Sequence, residues 1–164
     1  MFSKQGMTMV ETLVYVAVLV VLLLAITGML FSMTRSYAAF VGARNLNASA
    51  SIALERMTRE IRAANSITAG SSVFDTSPGR LTIVGPATTT EFYIAGDTLY
   101  VRENGVDSGA LTRSGVSVDS LVFRQLDSGI SSGVRIELTL SAVTGTTTKT
   151  EQFSAFSVLR NSYH

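Results

Sequence analysis

Between Glu11 and Arg35 the chain carries no charged residue. This run, Thr12 to Thr34, is 23 residues long, and as an α-helix rising about 1.5 Å per residue it reaches ~35 Å. The hydrocarbon core of a bilayer is about 30 Å thick, so the run is long enough to cross it. Beyond Arg35 the chain is polar, rich in Thr, Ser and Gly, with mixed charges. The protein is therefore built for two solvents, lipid first and water for the rest. Its 164 residues leave room for about one domain besides the apolar segment.

The start of the run does not read as an ordinary secretory signal. Such a signal has an apolar stretch of about 7–15 residues followed by a small-residue cleavage site. Here the stretch is longer, no such site follows it, and a glycine precedes it, in Lys4-Gln5-Gly6-Met7-Thr8-Met9-Val10-Glu11. Glu11 is the lone carboxylate at the head of the helix. A charge inside a membrane segment costs roughly 2.5–3.5 kcal/mol on insertion scales. Two readings of Glu11 are open on physics alone. It can lie at headgroup level, favoured by the positive end of the helix dipole, or it can have a task inside an apolar surrounding.

These residues together resemble the class III signal of type IV prepilins: a short basic leader, a glycine, then an apolar helix with glutamate fifth after the glycine. Glu11 is that fifth residue, counting Met7 as the first. The resemblance covers residues 4–34 and implies the following. A prepilin peptidase cuts between Gly6 and Met7, on the cytoplasmic face, and methylates the Met7 amine. Lys4 is the leader charge. Glu11 neutralises the N-terminal amine of a neighbouring subunit during filament assembly. Such a pair of charges is viable in a dry filament core only when both are present. The family usually begins its mature chain with Phe, where this chain has Met7.

From residue 35 to 64 apolar positions recur at Leu46, Ala50, Leu54, Met57, Ile61 and Ala64, the spacing of one helical face. Arg56, Arg59, Glu60 and Arg62 lie off that stripe, and Glu55 with Arg59 forms an i,i+4 pair. The stripe reads as a core-facing helix with a solvated, charged back. No proline occurs from Met1 to Thr76, so one helix is expected from about Thr8 to Ala64, bent at most near Gly28 or Gly42.

After Asn65, Gly, Ser, Asn and Pro punctuate short β-rich runs. Strands are expected at Leu81–Val84, Glu91–Ile94, Leu99–Arg102, Leu121–Arg124, Gly133–Ser141 and Gln152–Arg160. Ala95-Gly96-Asp97-Thr98 closes a hairpin, and Asn104-Gly105 marks a further turn. Val134, Ile136, Leu138 and Leu140 alternate with Arg135, Glu137 and Thr139, as in a half-buried antiparallel strand. The expected class is α+β, with the amphipathic half-helix covering the apolar face of an antiparallel sheet. The parts are a leader (1–6), a membrane or filament-core helix (7–34), an amphipathic half (35–64) and a β-domain (65–164). This order also resembles the pilin fold. Leu54 to Arg62 ahead of a β-domain, Leu121 to Leu126, Val134-Arg135-Ile136-Glu137-Leu138 and Leu159-Arg160-Asn161 are similar to J-type minor pseudopilins and W-type minor pilins. Major pilins often carry a C-terminal disulfide loop and a mid-membrane proline. This chain has neither, which favours a minor subunit or pseudopilin.

Nothing in the chain points to catalysis or a cofactor. There is no cysteine, which excludes disulfides and zinc–thiolate sites. The single histidine, His164, is the last residue, a poor place for a triad or metal cluster. No phosphate-binding glycine loop occurs. Asp97, Glu103 and Asp107 lie near turns and could hold Ca²⁺ weakly, but they read first as solvated turn carboxylates. Phe92, Tyr93 and Tyr100 read as sheet packing, since no basic groove accompanies them. Net charge is +1, and removal of Lys4 leaves 12 basic against 12 acidic residues, so broad nucleic-acid binding is not indicated.

The sequence reading is therefore a structural subunit, minor pilin or pseudopilin, of a type IV pilus or type II secretion pseudopilus, with an initiation or priming role. Its partners would be the prepilin peptidase, other subunits along the N-terminal helix, the membrane and an inner-membrane assembly platform. It would begin as a single-pass protein of the cytoplasmic membrane, β-domain outside, and end in a periplasmic or extracellular filament. Lys4 adds slight support to that orientation. Two alternatives remain: a single-span, membrane-anchored binding domain with a retained N-terminus, and a DNA-uptake pseudopilin of the same architecture.

Overall fold

The computed structural model describes residues 8–127, 131–144 and 147–160. Helix α1 spans Met9–Ala63, close to the expected Thr8–Ala64. Thr8 caps it: its Oγ1 accepts the Glu11 N–H at 3.3 Å, satisfying one of the donors that a helix start leaves free. Glu11 in the first turn and Arg62 in the last both suit the helix dipole. Inside the charge-free run, the hydroxyls of Thr12, Thr27 and Thr34 donate to the carbonyls of Met9, Leu23 and Leu30 at 2.7–2.8 Å. These hydroxyls are thus satisfied within the helix, as an apolar surrounding requires.

The chain divides into two compact units, Met1–Ala39 and Phe40–His164. In the first, the described part is helix alone. It is long and apolar enough to cross a membrane, and none of its most apolar window is buried. In the second, the last turns of α1 carry the core stripe. Leu46, Ala50, Ala53, Met57 and Ile61 are no more than 1% exposed. Leu54, expected in this stripe, is only partly buried, and Ala53 takes the central place. The ion pair on this stretch is Arg56 with Glu60, whose Nε and Oε1 lie 3.1 Å apart, out of hydrogen-bond alignment. Among the described residues the expected Glu55–Arg59 pair does not form.

Two antiparallel sheets follow, where a single layer was expected. The first is a meander of β1 (Ser66–Ile67), β2 (Leu81–Val84), β3 (Thr89–Ala95), β4 (Thr98–Glu103) and β5 (Val106–Ala110), in that order. The second is β6 (Val116–Asp127), β7 (Ser132–Thr144) and β8 (Thr147–Val158). Ala95 pairs with Thr98 across Gly96-Asp97, and Glu103 with Val106 across Asn104-Gly105. Asn104 and Gly105 both have positive φ, 51° and 83°, which the tight primed hairpin turn needs and Asn-Gly tolerates. Each expected strand is present, but β6 extends well beyond Leu121–Arg124. A register shift between Val118 and Ser120 changes which residues face inward, from Val116 and Val118 to Leu121 and Phe123.

The core joins α1 to both sheets. Phe92, Leu99 and Leu81 come from the first sheet, and Phe123, Ile136 and Leu138 from the second, all fully buried. Polar ties fix the helix against them. Ser157 Oγ donates to Thr58 O at 3.2 Å, and Arg113 N–H donates to Ser49 Oγ at 3.3 Å. Arg56 pairs with Glu103 of β4. The sheets are stitched together by Val118 N–H to Asp97 O at 2.9 Å and Gly79 N–H to Leu121 O at 2.8 Å.

Candidate functional site

Of the residues singled out at the N-terminus, Lys4, Gly6 and Met7 lie outside the described residues. Glu11 is described, exposed, and set on the third position of α1. Its carboxylate accepts a hydrogen bond from Tyr15 Oη at 3.4 Å, one turn further along. Its own N–H is held by Thr8. Thr8-Met9-Val10-Glu11 has the T-x-x-E spacing of a capping box, a signal present in the sequence but not drawn from it above. Only half of the box forms, because the carboxylate turns toward Tyr15 rather than back to the cap.

Below Glu11 the helix presents apolar side chains all round. Leu13 is 71% exposed and Phe31 63%, and the same holds of the large apolar residues between them. Water penalises such a surface by about 25 cal/mol per Å². A surface of this extent marks a membrane or protein contact, and its length matches a bilayer.

The three turn carboxylates of the β-domain are not brought together. Asp97 sits in the β3–β4 turn, Glu103 pairs with Arg56, and Asp107 binds Tyr93 and Arg102. Among the described residues no group of three His, Cys, Asp or Glu could hold a metal ion. Asp107 instead belongs to a surface network. Its Oδ1 accepts from Tyr93 Oη and from Arg102 Nε, each at 2.7 Å, while Arg102 Nη1 reaches Glu91 at 3.0 Å. The Tyr93 hydrogen bond, then that of Arg102, holds the Asp107 carboxyl below its ordinary range. The same bond to Asp107 raises the Tyr93 phenol. Tyr93 and Tyr100 stack with centroids 5.9 Å apart, and the Arg102 guanidinium lies 4.6 Å over the Tyr93 ring. Phe92 is fully buried on the opposite face, so the three aromatics do not form one stacking platform. The cluster works as a cross-strand clamp on the outer face of β3, β4 and β5. His164 lies outside the described residues.

A groove of about 940 Å³ runs between the last turns of α1 and the end of β8. No motif announced it, since its walls are far apart in sequence, with Thr58 and Ser157 separated by 99 residues, and only folding joins them. No family profile, curated protein or solved structure matches the chain.

Proposed function

We propose that the chain is a type IV pilin-like subunit, a minor pilin or pseudopilin with the pilin fold, whose N-terminal helix serves first as membrane anchor and then as filament core. The observation that carries this reading is the lone Glu11 at the head of a charge-free apolar helix segment whose side chains are exposed on every side. That helix continues without interruption into the stripe that holds the β-domain core. In lipid the apolar side chains need no protein partner. In a filament they exchange lipid for neighbouring helices, and the gain comes from packing rather than from escape from water. Glu11 then meets the free amine of another subunit. The pair offsets the cost of burying either charge alone and sets the register between helices.

The reading makes Gly6 and Met7 the cleavage junction, Met7 the methylated residue and Lys4 the cytoplasmic leader charge. It places the β-domain outside the cytoplasmic membrane, with the prepilin peptidase and the assembly platform as membrane partners. The deciding experiment is an intact mass and N-terminal peptide analysis of the protein from its own cells. A chain beginning at Met7 with a methylated amine supports the proposal. A chain beginning at Met1 overturns it and leaves a single-span, membrane-anchored domain. Gly6→Ala should leave an unprocessed precursor in the membrane.

A further inference from the structure

Strand β8 is an outer strand: among the described residues it pairs with β7 alone. Leu159 N–H donates to Ser132 O at 3.0 Å. By the alternation of an antiparallel ladder, the N–H and C=O groups of Ser154, Phe156 and Val158 therefore point away from β7. An edge of this kind is a template for another strand. The groove beside it is lined by Phe156 and Val158 from one face of β8 and by Ser157 from the other, so it follows the strand's edge. Its far wall is α1, through Leu54, Thr58, Arg59 and Arg62. A strand added about 4.8 Å beyond β8 would lie in this groove, its alternate side chains facing α1.

The lining states what such a strand should carry. Leu54 and the half-exposed Phe156 offer apolar contact. Arg59, Arg62 and Arg160 line the same groove against a single carboxylate, Glu55. None of the three arginines has an ion partner among the described residues; Arg44 and Arg113 of the same unit have none either, but they do not line this groove. We propose that this edge and groove bind an extended, acidic segment of a partner protein, which joins the β6–β7–β8 sheet as a fourth strand. Main-chain hydrogen bonds would supply the affinity and the arginines the choice of partner. The inference does not depend on what the apolar helix does.

The test is selection of a random-peptide library on the full chain in detergent micelles, followed by anisotropy titration of the enriched peptides. The expected winners alternate apolar residues with Asp or Glu and lack proline. Their affinity should fall by about tenfold or more in the Arg59→Glu, Arg62→Glu double variant. Both positions are exposed, so circular dichroism should be unchanged. Ser154→Pro, which removes one outward N–H at an edge that tolerates proline, should weaken binding without touching a charge. Bound peptide should slow amide exchange at Ser154, Phe156 and Val158. Enrichment of basic or helical peptides, or of none, overturns the proposal. So does self-association of the chain through this edge, lost in the double variant, because the occupant would then be a second copy.

Discussion

Replacing Met57 by alanine tests whether the last turns of α1 hold the globular unit together as argued. Met57 is fully buried on the helix face that meets both sheets, with Ala53 and Ile61 a turn to either side. Truncating a buried Met to Ala costs about 2–5 kcal/mol. The better helix propensity of alanine, a few tenths of a kcal/mol, offsets part of this and puts the expected loss near the lower end, about 2–3 kcal/mol. With a urea dependence of about 2 kcal/mol per molar, the unfolding midpoint should drop by roughly 1–1.5 M. Ile52 is the control: it lies on the same helix next to Ala53 but off the buried face, 46% exposed, so Ile52→Ala should stay within about 0.5–1 kcal/mol. Ala53→Leu tests the stripe from the other side, because overpacking a full site costs about 1–3 kcal/mol. Pulse proteolysis of the full chain in micelles across a urea series reads the globular unit while the anchor stays in detergent. If Met57→Ala and Ile52→Ala lower the midpoint equally, the assigned face is wrong, and with it the account of how α1 meets the sheets.

Three further outcomes are expected. Gly79→Ala should destabilise by more than 1 kcal/mol in the same assay, since its Cβ would come 2.7 Å from the Leu121 carbonyl oxygen, a backbone atom that cannot swing aside. Asp107→Ala should bring the Tyr93 phenol down toward its ordinary value, followed by the ring signals in an alkaline NMR titration. Because the folded phenol is raised, its contribution is present below about pH 10 and lost as pH rises through the folded value. The Asp107 carboxyl is depressed, so its contribution holds above about pH 4 and is lost as pH falls through the folded value. An unmoved Tyr93 titration would remove Asp107 as the cause. Glu11→Ala should insert into membranes as well as the parent chain and yet be absent from sheared filaments by immunoblot, whereas normal incorporation would take Glu11 out of assembly.

What could be read ahead of the structure followed from period and charge. The charge-free run and the missing proline define α1 almost to its ends, and Val134, Ile136, Leu138 and Leu140 alternate so cleanly that all four are fully buried. Other features were hidden by local irregularity. The shift between Val118 and Ser120 changes the parity of β6, so no single alternation spans it, and only its second half reads as a strand. Strand β5, Val106–Ala110, is exposed throughout and contains Asp, Ser and Gly. It is a strand because Tyr100 to Glu103 offer it a ladder, which is tertiary context rather than propensity. Spacing alone puts Leu54 in the stripe, four residues after Ala50 and three before Met57. The chain instead buries Ala53, because a small side chain lets the helix approach the sheets closely. The groove beside β8 is a product of topology, and no spacing in the sequence records it.

The surroundings of Glu11 bear on how one carboxylate can serve both states of the proposed cycle. A lone charge near lipid needs some local partner, and Tyr15 provides it from the same helix by donating to Oε1, while Thr8 serves only the backbone N–H of Glu11. At 3.4 Å the Tyr15 bond is long for an O–H donor, whose usual range ends near 3.0 Å, so it is weak and easily given up. A stronger bond would keep the carboxylate satisfied within its own chain and oppose pairing with another subunit. A missing one would leave the charge to lipid alone. Tyr15→Phe therefore separates the two roles: it should lower steady insertion of the chain only slightly, because the bond lost is weak and Phe suits lipid, and leave incorporation per inserted chain unchanged or higher. Fractionation and filament immunoblots from the same cells measure both quantities. A variant that inserts normally and fails only in filaments would place Tyr15 in the subunit contact itself and refute the idea that it holds Glu11 in waiting.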